Sequence, residues 1–150
     1  MNIRKADKKD IKEIVNVIKK SILATHVNIY PKDEIDHKLR IYSEDRIKEY
    51  MDKGEYFVAV EDNKIVGCVL AKEDNMRSLY VLPEYMRKGI GGKLAQGAED
   101  CIKDNGYDHV NIWSSLVSID FYKFRGYEIL GDVIDEKGRV LHKEMRKELY

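Results

Sequence analysis

The chain has 150 residues, of which 43% are hydrophobic and 36% charged, and this composition is typical of a globular protein rather than a disordered one. Lysine and arginine together number 27, as do aspartate and glutamate, so the net charge is zero. Because nucleic-acid-binding proteins usually carry a basic excess, we predict no nucleic-acid partner. No apolar run approaches the ~20 residues that cross a bilayer, so we also predict no membrane partner.

The N-terminal sequence and the cysteines favour a cytoplasmic protein. The stretch MNIRKADKKD lacks the apolar core of a signal peptide. Cys68 and Cys101 have neither CxxC nor metal-ligand spacing, so we expect reduced thiols and no metal ion.

The apolar pattern predicts one domain over residues 1–150. A short strand at 1–6 precedes a helix that Asp7 caps, and isoleucines at helical spacing give that helix one apolar face. The segment around Pro31 is expected to hold a loop and a short helix. Ser43 has the position of another helix cap.

Strands dominate the middle of the chain. Residues 55–73 predict two strands joined by a tight turn at residues 62–64, and residues 76–82 predict a third strand. The remaining predicted elements are a helix from Ile90 to Gly106, a strand at 107–114, a short helix ended by Gly126 and a hairpin over 127–145.

The order of these elements is β-α-α-β-β-β-α-β-α-β-β. It predicts a mixed α/β (α+β) domain with a central sheet flanked by helices. Strands joined by hairpins should be antiparallel, and strands joined across the two later helices should be parallel.

A glycine-rich turn lies in the stretch YVLPEYMRKGIGGKL, between a predicted strand and a predicted helix. The first N–H groups of a helix have no intrahelical partner and sit at the positive end of its dipole, which favours an anion such as phosphate. Glycines allow phosphate oxygens to approach the backbone closely. The turn carries Gly89, Gly91 and Gly92, with Arg87, Lys88 and Lys93 as additional positive charge.

Two nucleotide-binding motifs do not fit this turn. A P-loop requires Ser or Thr where this chain has Leu94, and glycine where it has Arg87. A dinucleotide fingerprint requires its third glycine at the position of Leu94.

The stretch LYVLPEYMRKGIGGKL instead resembles the acyl-CoA-binding motif of the GNAT superfamily of N-acetyltransferases. That motif is a strand followed by [Q/R]-x-x-G-x-[G/A] at the start of a helix. Gly89 and Gly91 match it, while Met86 replaces the usual Gln or Arg.

The stretch SSLVSIDFYKFRGYE resembles a later motif of the same family, N-x-x-A-x-x-F-Y-x-x-x-G-[FY]. Ser115 and Ser118 replace its Asn and Ala. The matching residues are Phe121, Tyr122, Gly126 and Tyr127.

The resemblance implies the GNAT fold, with acetyl-CoA as co-substrate between two splayed strands, 76–82 and 107–113. It implies transfer of the acetyl group to a primary amine by direct attack in a ternary complex, without metal. Tyr122 would be the general acid that protonates the leaving thiolate. Backbone N–H groups of Leu79, Tyr80 and Val81 would hold pantetheine and polarise the acetyl carbonyl, as an oxyanion hole.

The same resemblance assigns the pyrophosphate to the glycine turn. Ser115 would cap the following helix and bind pantetheine. The implied pyrophosphate turn consists of Arg87, Lys88, Gly89, Ile90, Gly91, Gly92 and Lys93.

The sequence does not identify the general base, the acceptor amine or the oligomeric state. Candidates for the base are Glu73, Asp74, Glu84 or a water molecule. A homodimer is one alternative for the assembly. The acceptor pocket is expected in the N-terminal third, from residues that include His26, Tyr30, His37 and Tyr42, with Trp113.

Two alternatives to catalysis are open from the sequence. The departures at Met86, Ser115 and Ser118 are compatible with a GNAT-fold module that binds or senses an acyl-CoA without turnover. The charges between Arg87 and Lys93 are the one feature that favours an RNA-associated role.

Overall fold

One seven-stranded sheet forms the centre of the computed structural model, which describes residues 1–150. Its strands are β1 (Asn2–Lys5), β2 (Glu55–Glu61), β3 (Lys64–Lys72), β4 (Asn75–Val81), β5 (His109–Ser115), β6 (Glu128–Ile134) and β7 (Val140–Glu148). The helices are α1 (Ile11–Thr25), α2 (Lys32–Ile41), α3 (Glu44–Lys53), α4 (Ile90–Asp104) and α5 (Ile119–Phe124). None of these helices is long and apolar enough to cross a membrane.

The sheet order is β1-β2-β3-β4-β5-β7-β6, and β4 with β5 is the parallel pair. The predicted mixed α/β sheet is therefore confirmed. Strands β5 and β6, which α5 connects, run in the same direction, as predicted, but they are not neighbours. The last strand, β7, lies between them and is antiparallel to both.

Three helices, not two, precede the second strand. Asp7 and Asp10 form a capping box before α1, and Ser43 Oγ accepts from Arg46 N at the start of α3, as the sequence predicts. The helix that the predicted order lacks is α2, which is the short helix expected around Pro31, and Pro31 is its N-cap in an extended conformation. Proline outside the first turn removes no helical hydrogen bond, so it begins this helix rather than interrupting it.

Helices α1 and α4 pack on the central strands β3 and β4. Strand β3 is buried from Ile65 to Ala71, as expected for a strand covered on both faces. Gly67 lies directly under α4, because a Cβ atom there would stand 2.8 Å from Leu94 Cδ1. A larger residue at this position would push α4, and with it the glycine turn, away from the sheet.

A buried carboxylate ties α4 to the C-terminal part of the chain. Glu99 is 2% exposed and accepts hydrogen bonds from Arg125 Nη2 at 2.8 Å and Tyr127 Oη at 2.7 Å. Lys147 Nζ, on β7, lies 3.3 Å from the same carboxylate. This network fixes α4 relative to α5 and β7, which border the candidate site.

Candidate active site

Strands β4 and β5 meet at one position and then diverge. Their ladder consists of the pair Asn75–Asn111, supported by Asn111 N donating to Asp74 O at 2.8 Å. Towards their carboxyl ends they leave a wedge-shaped cleft in the middle of the sheet. The predicted splaying of these two strands is thus confirmed.

Asp74 holds the closed end of this cleft. Its carboxylate accepts from His109 Nε2 at 2.8 Å, Asn111 Nδ2 at 2.9 Å and Asn75 Nδ2 at 2.7 Å. Burial alone would raise the pKa of Asp74, but the hydrogen bonds from His109 and Asn111 together outweigh it and lower that pKa.

The candidates for the general base lie at different ends of the cleft. Glu73 is an exposed residue with φ 54° in the turn before β4, next to Asp74 at the closed end. At about 3.3 Å per residue, Asp74 lies about 20 Å along the strand from Tyr80. Glu84 follows the carboxyl end of β4 and is exposed.

A β-bulge interrupts β4 where the cleft opens. Cys68 faces Tyr80 and Leu70 faces Arg77, so Ser78 and Leu79 both oppose one residue of β3. Ser78 has φ 56°, in the left-handed region. A bulge leaves backbone groups without a ladder partner. Beyond the bulge, Tyr80 and Val81 pair with Cys68 and Gly67 of β3. The half-buried segment 79–81 is thus held by β3 on one side and borders the opening on the other, where it has no ladder with β5.

The glycine turn forms an open cradle at the start of α4. Gly89 has φ 83°, and a Cβ atom there would meet nothing within 4 Å. The first helical bond is donated by Lys93 N to Gly89 O, so the N–H groups of Ile90, Gly91 and Gly92 have no helical acceptor. These donors lie at the positive end of the helix, next to the open space at Gly89, and fit the pyrophosphate of coenzyme A.

The basic side chains of this turn differ in their surroundings. Arg87, with φ 62°, and Lys93 are exposed. Lys88 Nζ lies 5.3 Å from the centre of the Tyr85 ring, so part of its charge is directed at an aromatic face.

Tyr122 lies beside the cradle, on α5. It is 7% exposed and packs between Phe121 and Tyr127, with ring centres 5.1 and 5.3 Å away. Phe121 brings α5 onto the start of α4, because a Cβ atom on Gly91 would stand 3.5 Å from its ring. Burial raises the pKa of Tyr122, so its phenol stays protonated at neutral pH and can act as an acid.

Ser115 does not cap α5, in contrast to the prediction. The helix begins at Ile119 with Ser118 as its N-cap, and no side chain caps it. The Ser115 hydroxyl instead donates to Ser118 Oγ at 3.2 Å, at the end of β5. The predicted cap is absent because the N-cap position is Ser118, three positions after Ser115.

Several residues expected in the acceptor pocket come together near Tyr80. The Tyr42 and Tyr80 hydroxyls are 3.5 Å apart, and the His26 ring centre lies 6.4 Å from that of Tyr80. Tyr30 stacks on His26 at 5.1 Å.

Two other residues expected in the pocket lie apart from this group. His37 is exposed on α2. Trp113 is 63% exposed and lies beside His142, with ring centres 6.0 Å apart.

Lys38 and His142 also lie in this region, and neither was expected there from the sequence. Lys38 is 5% exposed, and its Nζ lies 3.2 Å from His26 Nδ1. One signal in the sequence could have identified it, because Ile35, Lys38 and Tyr42 are spaced for one face of a helix, and a lysine within an apolar face is unusual. No comparable signal marks His142.

A family model described as an acetyltransferase (GNAT) domain matches residues 27–149. The chain is 24% identical over 143 residues to the spermidine N(1)-acetyltransferase of Thermoplasma acidophilum, covering 86% of this chain and 89% of that protein. It is also 24% identical over 141 residues to the peptidyl-lysine N-acetyltransferase YjaB of Salmonella typhimurium, covering 93% and 92%.

Solved structures share the fold. A GCN5-related N-acetyltransferase from Rhodopseudomonas palustris superposes with a TM-score of 0.91 at 20% identity, over 99% of this chain and 95% of that one. The PaiA N-acetyltransferase of Thermoplasma acidophilum, solved in complex with coenzyme A, has a TM-score of 0.83 at 24% identity, over 98% of both chains. No group of three or more His, Cys, Asp or Glu side chains is arranged so that it could hold a metal ion.

The closed end of the cleft should give the protein a pH-dependent stability. His109 lies between Asp108 Oδ1 and Asp74 Oδ2, both at 2.8 Å, and only the doubly protonated ring can donate to both. Asp108 and then Asp74 raise the pKa of His109 above its usual 6.5. Its stabilising contribution is therefore fully present below about pH 6.5 and is lost as the pH rises through the higher folded value.

Urea unfolding of the wild type and His109→Gln between pH 5.5 and 9 tests this. The difference in free energy of unfolding should be largest at the acidic end and should shrink towards pH 9. Asp108→Asn should reduce the pH dependence without removing it. A difference that stays constant with pH would contradict the assigned ion pairs.

Proposed function

Since the chain belongs to the GNAT acetyltransferase family, we propose that the cleft between β4 and β5 holds acetyl-CoA and passes its acetyl group directly to a primary amine in a ternary complex. The chain is an acetyl-CoA-dependent acyltransferase. Acetyl-CoA supplies the acetyl group and a thiolate leaving group. The protein's own residues bind it, orient it and provide a proton.

The observation that carries this proposal is the opening of the sheet beyond Asn75–Asn111, with the start of α4 and the bulged part of β4 both at the cleft. The uncommitted N–H groups of residues 90–92 would bind the pyrophosphate. Backbone donors of residues 79–81 would bind pantetheine and the acetyl oxygen, and Ser115, at the end of β5, would add a hydroxyl contact.

Tyr122 is proposed as the general acid. Its raised pKa keeps the proton on the phenol until a strong base, such as a thiolate, develops nearby. Glu99 also influences Tyr122, but its carboxylate is occupied by Arg125, Tyr127 and Lys147. Asp74 lies about 20 Å along the strand from Tyr80, so we infer that water or Glu84, rather than a carboxylate of the closed end, takes the proton of the attacking amine.

The acceptor belongs to the amines, and its finer identity is a proposal. One relative is named for spermidine and another for peptidyl-lysine, and both of these carry primary amines. A small-molecule amine is proposed for this chain, because the side chains that come together near Tyr80 are buried or half-buried aromatic and histidine residues. The cytoplasmic location and the homodimer stay predictions.

A thiol-release assay combined with calorimetry tests the proposal. Acetyl-CoA should bind, and free CoA should appear faster with at least one member of a panel of primary amines. Binding without turnover on any amine would favour the alternative of a sensing module. Salt-dependent RNA binding that CoA does not displace would favour the RNA-associated role.

Tyr122→Phe should reduce kcat by about 10²–10⁴-fold, since the leaving thiolate loses its proton donor. The affinity for CoA should change little, because phenylalanine preserves the packing between Phe121 and Tyr127. Tyr107→Phe, which alters a phenol near the start of β5, is the matched control and should keep normal turnover. Unchanged turnover in Tyr122→Phe would remove the acid role.

Gly92→Asp should weaken CoA binding about tenfold or more. The new carboxylate would stand beside the N–H groups proposed to bind pyrophosphate and would repel it, whereas an acidic residue in the first turn of a helix does not harm folding. Gly97→Asp, further along the same helix, is the control for added charge. Isothermal titration should show the loss in Gly92→Asp alone, and equal losses in both variants would count against the assigned cradle.

A further inference from the structure

Lys38 is a buried cation without a carboxylate partner. The residue is 5% exposed, and its Nζ lies 3.7 Å from the centre of the Tyr30 ring and 3.2 Å from His26 Nδ1. No Asp or Glu oxygen lies within 4.0 Å of this nitrogen. An ammonium group has three N–H donors, and His26 accepts one of them, so donor capacity remains in a region largely shielded from water.

The groups that face Lys38 leave its charge largely uncompensated. His26 and His142 are neutral at pH 7, since burial lowers the pKa of His26 to about 3 and that of His142 to about 4. The Tyr30 hydroxyl is occupied, donating to Leu141 O at 2.6 Å and accepting from Leu116 N at 2.8 Å. Glu34, one turn earlier on α2, interacts with Lys38 electrostatically but is too far away to form an ion pair with it.

Two acids near α2, Asp33 and Asp135, are already paired. Arg139 Nη1 and Nη2 donate to the two oxygens of Asp33 at 3.0 and 2.7 Å, and Arg139 Nε donates to Asp135 Oδ2 at 2.6 Å. These contacts tie α2 to the turn between β6 and β7. They fix the helix that carries Lys38 and leave neither Asp33 nor Asp135 to neutralise it.

Lys38 lies on the side of the molecule proposed for the acceptor. Through His26 it is linked to Tyr80, whose ring centre is 6.4 Å from that of His26. Tyr30, on which the ammonium rests, bridges the residue after β5 and the beginning of β7. The cation therefore lies near the carboxyl ends of β4 and β5, on the side where the two strands are no longer paired.

We propose that Lys38 binds a carboxylate of the acceptor, so that the preferred acceptor is a small amine that also carries a carboxylate, such as an amino acid, rather than a polyamine. This proposal rests on the proposed function, because it assigns the charge of that acceptor. Hydrogen bonds between an ammonium and a carboxylate are stronger than neutral ones, and shielding from water strengthens them further. A polyamine would instead bring like charge towards Lys38.

Matched acceptors test the proposal. Phenylalanine is compared with phenethylamine, and leucine with isoamylamine, since each pair differs by the carboxylate alone. The ratio of kcat/KM within each pair should favour the amino acid by about 10–100-fold, as expected for a charge-assisted hydrogen bond. The ratio should fall above pH 8, because burial lowers the pKa of Lys38 to about 8 and the ammonium then loses its proton.

Variants of Lys38 separate recognition from structure. Lys38→Met should reduce the ratio at least tenfold and raise Tm by a few degrees, since a buried charge is replaced by an apolar side chain of similar length. Lys38→Arg should retain part of the preference. Lys32→Met, on the exposed side of α2, is the control and should leave the ratio unchanged. A lower Tm in Lys38→Met with an unchanged ratio would overturn the proposal and make Lys38 a structural residue.

A binding measurement distinguishes this proposal from the proposed function. N-acetylphenylalanine and N-phenethylacetamide are titrated into the protein saturated with CoA. Tighter binding of the carboxylate compound that depends on Lys38 supports the anion site even if no amine is turned over, and in that case the proposed function alone fails. Turnover of amines without preference for a carboxylate, in kinetics and in binding, overturns the anion site and leaves the proposed function intact. If the protein neither turns over any amine nor binds these compounds, both the anion site and the proposed function are overturned.

Discussion

The candidate site depends on the single point at which β4 and β5 remain joined. Parallel neighbours normally continue their ladder, but here the pairing stops after Asn75–Asn111 and the sheet opens. Asp74 makes this local junction strong, because its carboxylate and carbonyl together accept from His109, Asn111 and Asn75. A firmly held closed end allows the open end to expose backbone donors without loss of the fold.

The elements around the opening are held in place by close packing and by buried charge. Because Gly67 has no side chain, α4 packs closely on β3. The contact between Phe121 and Gly91 places α5 against the start of α4. Glu99 then joins α4 to α5 and β7 through its three donors. These contacts explain how a short helix such as α5, with no side-chain cap of its own, keeps Tyr122 beside the cradle.

On the acceptor side of the cleft, burial of the charged Lys38 side chain is unfavourable. Its pKa, lowered from 10.5 to about 8, corresponds to on the order of 3 kcal/mol against the charged form. Such a cost is usually avoided by pairing the charge or exposing it. Here Arg139 pairs with Asp33 and Asp135, and no carboxylate pairs with Lys38. Binding of a complementary anion at the border of the cleft would offset the cost of burying this charge.

Local signals in the sequence were sufficient to predict much of the structure around the proposed acetyl-CoA site. The cap at Ser43, the tight turn after β2 and the glycine cradle each follow from short-range chemistry, and the structure has all three. Long-range features were not accessible in this way. The insertion of β7 between β5 and β6, the engagement of Asp74 by β5 and the burial of Lys38 depend on residues distant in sequence. Ser115 failed as a cap because the exact start of a short helix depends on packing rather than on motif spacing.

Amide hydrogen exchange with and without CoA tests the central claim, that the opening between β4 and β5 is the donor site, most directly. The account predicts that CoA slows exchange at residues 79–81 and 90–92, whose N–H groups it would bind, while the closed end at residues 74–75 and 111 stays as protected as before. Slowed exchange elsewhere, with no change in these two segments, would contradict the assignment of the cleft.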